Sequence, residues 1–125
     1  MQSWKNNQIF NGISLQDSWI LSWSISDDCV EFIIDFSLWP DSPYFEPPKK
    51  NEHTCYKIGK LIFVNPSHLI GLKNMEDIVS IIGPDGEKDF GSIDYFEIDN
   101  GNKFRMGWGK ENINLIVDSI NVVFT

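Results

Sequence analysis

The chain is poor in positive charge. Its 125 residues hold 10 Lys and Arg against 18 Asp and Glu, a net charge of −8, and the basic side chains are scattered apart from the pair Lys49 and Lys50. Nucleic acid and anionic membrane both reward clustered positive charge, so neither is expected as a partner, whereas a basic protein is compatible. Cysteine is nearly absent too, at two residues, Cys29 and Cys55. The N-terminus has no basic segment followed by an apolar run, so nothing points to export, and the two cysteines read as reduced thiols, with Cys29 at the buried start of a strand. No run approaches the roughly 18 apolar residues of a membrane helix. The expectation is a soluble, cytoplasmic protein forming one domain over residues 1–125, long enough to bury a real core.

Reactive chemistry is equally thin. Nucleophilic catalysis needs a hydroxyl or thiol beside a base, usually His, and the chain has only His53 and His68. His53 lies in the polar run "KKNEHT" and reads as solvated; His68, in "NPSHLIG", reads as structural. Glu52, His53 and Cys55 fall in one short span without the second ligand pair of a zinc site. No dinucleotide or P-loop glycine pattern occurs, and "MGWGK" lacks the strand-glycine-helix setting that cradles phosphate. The acid pairs Asp27 with Asp28 and Asp94 with Glu97 read as surface carboxylates, since acid-base work needs a cleft to separate their pKa values. Neither an enzyme nor a cofactor is expected.

What is present is aromatic and apolar surface in short alternating runs. Apolar residues make up 42% of the chain and aromatics 14%, with five Trp and nine Phe, enough to offset chain entropy without cross-links. In "WILSWSIS" (19–26) the period of two assigns Trp19, Leu21, Trp23 and Ile25 to the inward face. Asp27 and Asp28 follow as a two-residue turn. "CVEFIIDFSL" (29–38) resumes with Val30, Phe32, Ile34 and Phe36 inward and Glu31 and Asp35 outward; Ile33 breaks that outward polarity. "YKIGKLIFV" (56–64) is apolar on both faces and ends at Asn65 and Pro66. "NMEDIVSII" (74–82) has a helix cap in Asn74 but four β-branched residues, and a strand is the favoured reading. Pro84, Asp85 and Gly86 make a turn, and Asn100 with Gly101 is the strongest hairpin signal in the chain. "NKFRMGW" places Phe104, Met106 and Trp108 on one face and Lys103 and Arg105 on the other, with Gly107 and Gly109 marking a bulge or bend. "INLIVDSINVVF" gives one kinked strand or two, broken at Asp118 and Ser119. About eight short strands with at most one short helix predict an all-β antiparallel barrel or sandwich.

One stretch stands apart. "LWPDSPYFEPPKK" (38–50) places Pro40, Pro43, Pro47 and Pro48 around Trp39, Tyr44 and Phe45. Proline fixes φ, so these aromatics are presented with less entropy to lose on binding. With Asp41 and Glu46 beside them they form an expected partner-binding set of aromatic anchors in an acidic surround. The opposing reading is a stiff crossover loop whose aromatics fold back onto the sheet. Exposed aromatics also stack on sugar rings, so a carbohydrate- or small-ligand-binding module is the alternative; Trp39 and Trp4 suit it, while alternation assigns Trp19, Trp23 and Trp108 to the core.

The succession "LQDSWILSWSISDDCVEFIIDFSLW", "GKLIFVNPSHLIGL" and "GSIDYFEID…KFRMGW…INVVF" resembles small bacterial immunity proteins of polymorphic toxin systems and related β domains. The shared pattern is an Asp-Ser near a first hairpin, here Asp17 and Ser18, a Gly-Lys/Arg-Leu-x-Phe strand, here Gly59, Lys60, Leu61 and Phe63, and a closing acidic hairpin. It runs over nearly the whole chain from residue 15. The His that often precedes the Asp-Ser is Gln16 here. The resemblance implies a non-enzymatic inhibitor that occludes a cognate toxin, and acidity suits a basic toxin because complementary charge speeds association.

Overall fold

A computed structural model of the chain describes residues 2–3, 8–47, 55–72, 81–82, 88–99 and 102–124. These form β1 (Gln2–Ser3), a 3-10 turn (Gln8–Phe10), β2 (Ile13–Ile25), β3 (Cys29–Leu38), β4 (Cys55–Val64), β5 (His68–Ile70), β6 (Ile81–Ile82), β7 (Lys88–Asp89), β8 (Ile93–Asp99), β9 (Lys103–Trp108), β10 (Glu111–Ile116) and β11 (Ser119–Phe124). All pairings are antiparallel. One sheet has the order β1-β8-β9-β10-β5, a second β11-β4-β3-β2, and β6 with β7 makes a separate ribbon. The expected all-β architecture is present, and of its two forms the sandwich: the sheets do not close into a barrel. Among the described residues no helix is long and apolar enough to cross a membrane.

The core follows from alternation. Val30, Phe32, Ile34, Phe36 and Leu38 of β3 are all fully buried, and Phe104, Met106 and Trp108 of β9 face them from the other sheet. Edge-to-face contacts join the layers: Trp23 to Trp108 at 5.4 Å between ring centroids and Phe32 to Trp108 at 5.6 Å, with Phe63 to Phe104 at 5.8 Å further along. Such geometry adds about 0.5–1.5 kcal/mol per pair beyond area burial. The Trp108 indole N–H is buried there with no hydrogen-bond acceptor among the described residues.

Besides the passage from β1 to β2, two sheet crossings happen at one corner. Between β4 and β5, and again between β10 and β11, the chain leaves one sheet and enters the other, while the paired ladder continues from Ile116 opposite His68 to Ser119 opposite Val64. Asn65, at φ 51°, makes the sharp step that its neighbour Pro66 cannot continue as a strand. The corner is stitched by Asp118 N–H to the Val64 carbonyl at 2.9 Å and by the Asn65 amide to the Asp118 carboxylate at 3.0 Å. The break expected at Asp118 and Ser119 is thus the passage between layers.

The Asp27-Asp28 turn falls where the sequence placed it. Ser26 N–H bonds the Cys29 carbonyl at 2.9 Å, and Cys29 N–H bonds Ser26 Oγ at 3.2 Å, closing a two-residue Asp27-Asp28 loop. Asp99 pairs with Lys103 around Asn100 and Gly101, and Ile82 with Lys88 around the Pro84–Gly86 segment; those loop residues lie outside the described residues. Of the stretch 74–82 only Ile81 and Ile82 are described, as strand. The bulge expected near Trp108 is present, but its extra residue is on β8, between Ile93 and Tyr95. Gly107 is required by what crosses it: a Cβ there would lie 2.3 Å from the Tyr95 ring, which reaches over to donate its hydroxyl to Asn112 Oδ1 at 2.6 Å.

Three inward assignments need correction. Trp19 is 38% exposed and Ile25 46% exposed, while Ile20 is fully buried. A bulge at Leu21 turns Trp19 outward: Ile20 pairs with Ile34 and Ser22 with Ile33, so one extra residue in β2 flips the alternation between Trp19 and Trp23. Ile25, in phase with Trp23 and opposite Val30, is exposed because it ends the strand at the hairpin. Cys29 is half-buried, since it sits at the hairpin end of β3. It pairs with Val64, whereas Cys55 pairs with Leu38 at the far end of the same two strands. Nine residue steps separate them along β3, roughly 30 Å, far beyond the roughly 7 Å limit of a disulfide.

Candidate functional site

The second irregularity of β2 builds a cleft. Ser14 pairs with Ser37 and Trp19 with Asp35, so four residues, Leu15 to Ser18, stand opposite the single Phe36. Leu15 and Ser18 turn inward and are fully buried, and Gln16 and Asp17 are carried out to the surface. The ladder lost over this bulge is replaced by a side chain. Ser18 Oγ donates to the Ser14 carbonyl at 2.7 Å and accepts the Ser37 N–H at 3.0 Å. Ser14 Oγ in turn donates to Asp17 Oδ2 at 2.7 Å and fixes the carboxylate.

Around this bulge the outer face of the four-stranded sheet is aromatic. Asp35, Ser37 and Trp39 alternate outward along β3 and its exit, Trp19 lies across from Asp35, and Tyr56 lies across from Ser37. Trp19 and Trp39 therefore stand about four residue steps apart along the sheet, roughly 13 Å, with Ser37 between them. The cleft they bound has a volume of about 430 Å³, and Gln16, Asp17, Ser37 and Tyr56 complete most of its lining; Asp17 is its charged group and none of the lining residues is basic. Beside Trp19 it is bordered by Ser92, in a segment that pairs with β2 through Ile20 N–H to the Gly91 carbonyl at 3.0 Å and a bridge of Trp19 to Ser92.

The aromatic set expected from the proline stretch is divided between two places. Trp39 is 42% exposed and belongs to the cleft, its N–H held by the Gly12 carbonyl at 2.8 Å. Tyr44, though 49% exposed, lies against Phe124 with ring centroids 4.6 Å apart, and Phe45 is half-buried against the core. Asp41 is exposed; Glu46 is exposed and paired with Lys57 at 3.0 Å. Trp39 thus sits apart from Tyr44 and Phe45, which fold back toward the sheet edge. Asp17, Trp19 and Tyr56 join Trp39 without having been singled out together, and the signal that could have found them is the polar pair Gln16-Asp17 interrupting the alternation after Leu15. Trp4 and His53 lie outside the described residues.

The remaining polar groups do not assemble a reactive centre among the described residues. His68 is exposed on β5, so it is no core histidine, and it borders a groove of about 210 Å³ on the outer face of the five-stranded sheet with Ile70, Lys103, Arg105 and Asn114. Cross-strand pairing sets Asp99 opposite Lys103 and Glu97 opposite Arg105, so that face is charge-balanced. No three His, Cys, Asp or Glu side chains converge as a metal-binding group among the described residues. Comparison of the chain with protein-family models, with curated proteins and with solved structures finds no match.

Proposed function

We propose that the chain is a non-enzymatic protein-binding domain, an inhibitor of the immunity type that neutralises a cognate bacterial toxin by covering it. The observation that supports this best is the placement of two tryptophans, Trp19 and Trp39, on one outer sheet face beside Asp17. Ile58 extends that surface in the same cross-strand row as Trp19 and is 50% exposed. Tryptophan is the residue most enriched among interface hot spots, and an acidic rim around such anchors suits a basic partner. The whole-molecule charge of −8 acts in the same direction by steering association. The test is co-expression with the product of the reading frame immediately upstream. Neutralised toxicity and a complex that survives gel filtration are the expected results; toxicity unaffected by the chain, with no complex formed, refutes the reading.

A second reading draws on the cleft itself. Its volume of about 430 Å³ lies within the range of roughly 300–1,000 Å³ typical of small-ligand sites, and its aromatic walls suit a sugar. Titration of a glycan panel checks this through the tryptophan emission, and a flat response across the panel removes it.

A further inference from the structure

Resting on the protein-binding reading, we propose that the cleft between Trp19 and Trp39 is a receptor for a single arginine side chain of the partner. Three features of the lining select this occupant. Its walls are indole and phenol rings, whose faces carry the negative side of the ring quadrupole and attract a cation. Its charged lining group is a carboxylate, Asp17, which no basic side chain in the lining neutralises. That carboxylate is held in place: Ser14 Oγ–H takes one of its roughly four acceptor positions and leaves capacity for a forked donor.

Arginine meets these conditions better than lysine or a neutral ligand. The guanidinium is planar, weakly hydrated and able to stack on a ring while its edge bonds a carboxylate. An ammonium is compact and strongly hydrated, and gives up more on entering a site with apolar walls. A sugar gains the stacking and can donate hydroxyl hydrogen bonds to Asp17, but it brings no positive charge to the carboxylate. The remaining polar lining groups, Gln16, Ser37 and the Tyr56 hydroxyl, offer acceptors for the N–H groups that the carboxylate does not take. Since Trp19 and Trp39 are each about 40% exposed, the cleft is open enough to admit a side chain from a folded surface.

The experiment is a ¹⁵N NMR titration of the whole chain with blocked Gly-Arg-Gly, Gly-Lys-Gly and Gly-Glu-Gly peptides and with maltohexaose, read at the tryptophan indole N–H resonances. The arginine peptide is expected to shift the Trp19 and Trp39 signals saturably while leaving Trp108, in the core, unmoved. The lysine peptide should bind several-fold more weakly, and the other two should give no shift. Asp17→Asn should weaken the arginine peptide about tenfold and Asp17→Glu should restore part of the loss, with both variants keeping the dispersed spectrum of the parent. No shift with the arginine peptide, equal response to the glutamate peptide, a response to the oligosaccharide alone, or full affinity in Asp17→Asn each overturns the proposal. The two readings separate cleanly. An upstream product neutralised equally well by Asp17→Asn removes the arginine receptor and leaves the inhibitor; arginine-specific shifts with no effect on that product do the reverse.

Discussion

At the scale of single residues, Ser18 shows how a motif residue can be structural. It is fully buried, and its one hydroxyl serves a carbonyl on its own strand and an N–H on the next. Ser18→Ala leaves both backbone groups unsatisfied inside the sheet, and chemical denaturation should record a loss of about 1–3 kcal/mol. Asp17, its neighbour in the sequence, is exposed and lines the cleft instead. The aromatics of the proline stretch divide in the same way. Trp39→Ala removes an exposed ring and should cost ~1 kcal/mol or less in stability, whereas Tyr44→Ala forfeits the contact with Phe124 and should lose a further 0.5–1.5 kcal/mol or about that. Thermal unfolding of the two variants side by side checks the difference, and identical melting temperatures would contradict it.

At the scale of elements, the chain's alternation was legible wherever a strand runs without interruption. β3 and β9 bury the residues their patterns assign to the core, and the Asp27-Asp28 turn closes as its composition requires. What pattern alone could not reveal is the pair of irregularities in β2. Each inserts residues that have no partner on β3, and a single insertion reverses which side chains face the core, so Trp19 was assigned inward and stands outward. The candidate site was hidden for the same reason: Asp17, Trp19, Trp39 and Tyr56 come from three strands, and only the bulge gathers them. The proline stretch is anchored to the start of β2 by Gly12, at φ +76°, where a Cβ would lie 2.6 Å from the Ser42 backbone. Gly12→Ala combines about 1–2 kcal/mol of left-handed strain with about 1–3 kcal/mol of overpacking. It should also release the Trp39 N–H from the Gly12 carbonyl, visible as faster hydrogen exchange at residue 39.

At the scale of the whole molecule, the two faces of the sandwich differ in how many large apolar side chains they expose. The outer face of the five-stranded sheet matches opposite charges across its strands and exposes Ile70 singly, whereas the outer face of the four-stranded sheet carries Trp19, Ile58 and Val123 exposed, with Trp39 at its rim, beside one charge pair, Glu31 with Lys60. A cluster of exposed apolar side chains is the usual mark of an interaction site, and on the proposed reading the whole-molecule charge of −8 would steer a basic partner. Stopped-flow association with the upstream product should slow about tenfold or more when salt is raised from low to high ionic strength, while dissociation changes little. A rate indifferent to salt would separate the acidity from binding.

All of this depends on binding through the face that bears Trp19 and Trp39. The most direct measurement is the dissociation constant of the upstream product for the parent chain and for the Trp19→Ala/Trp39→Ala variant, taken with both melting temperatures. A weakening of about 100-fold or more, about 2.7 kcal/mol, with the fold retained, is the expected result. An unchanged constant in a folded variant would place the interaction elsewhere on the molecule.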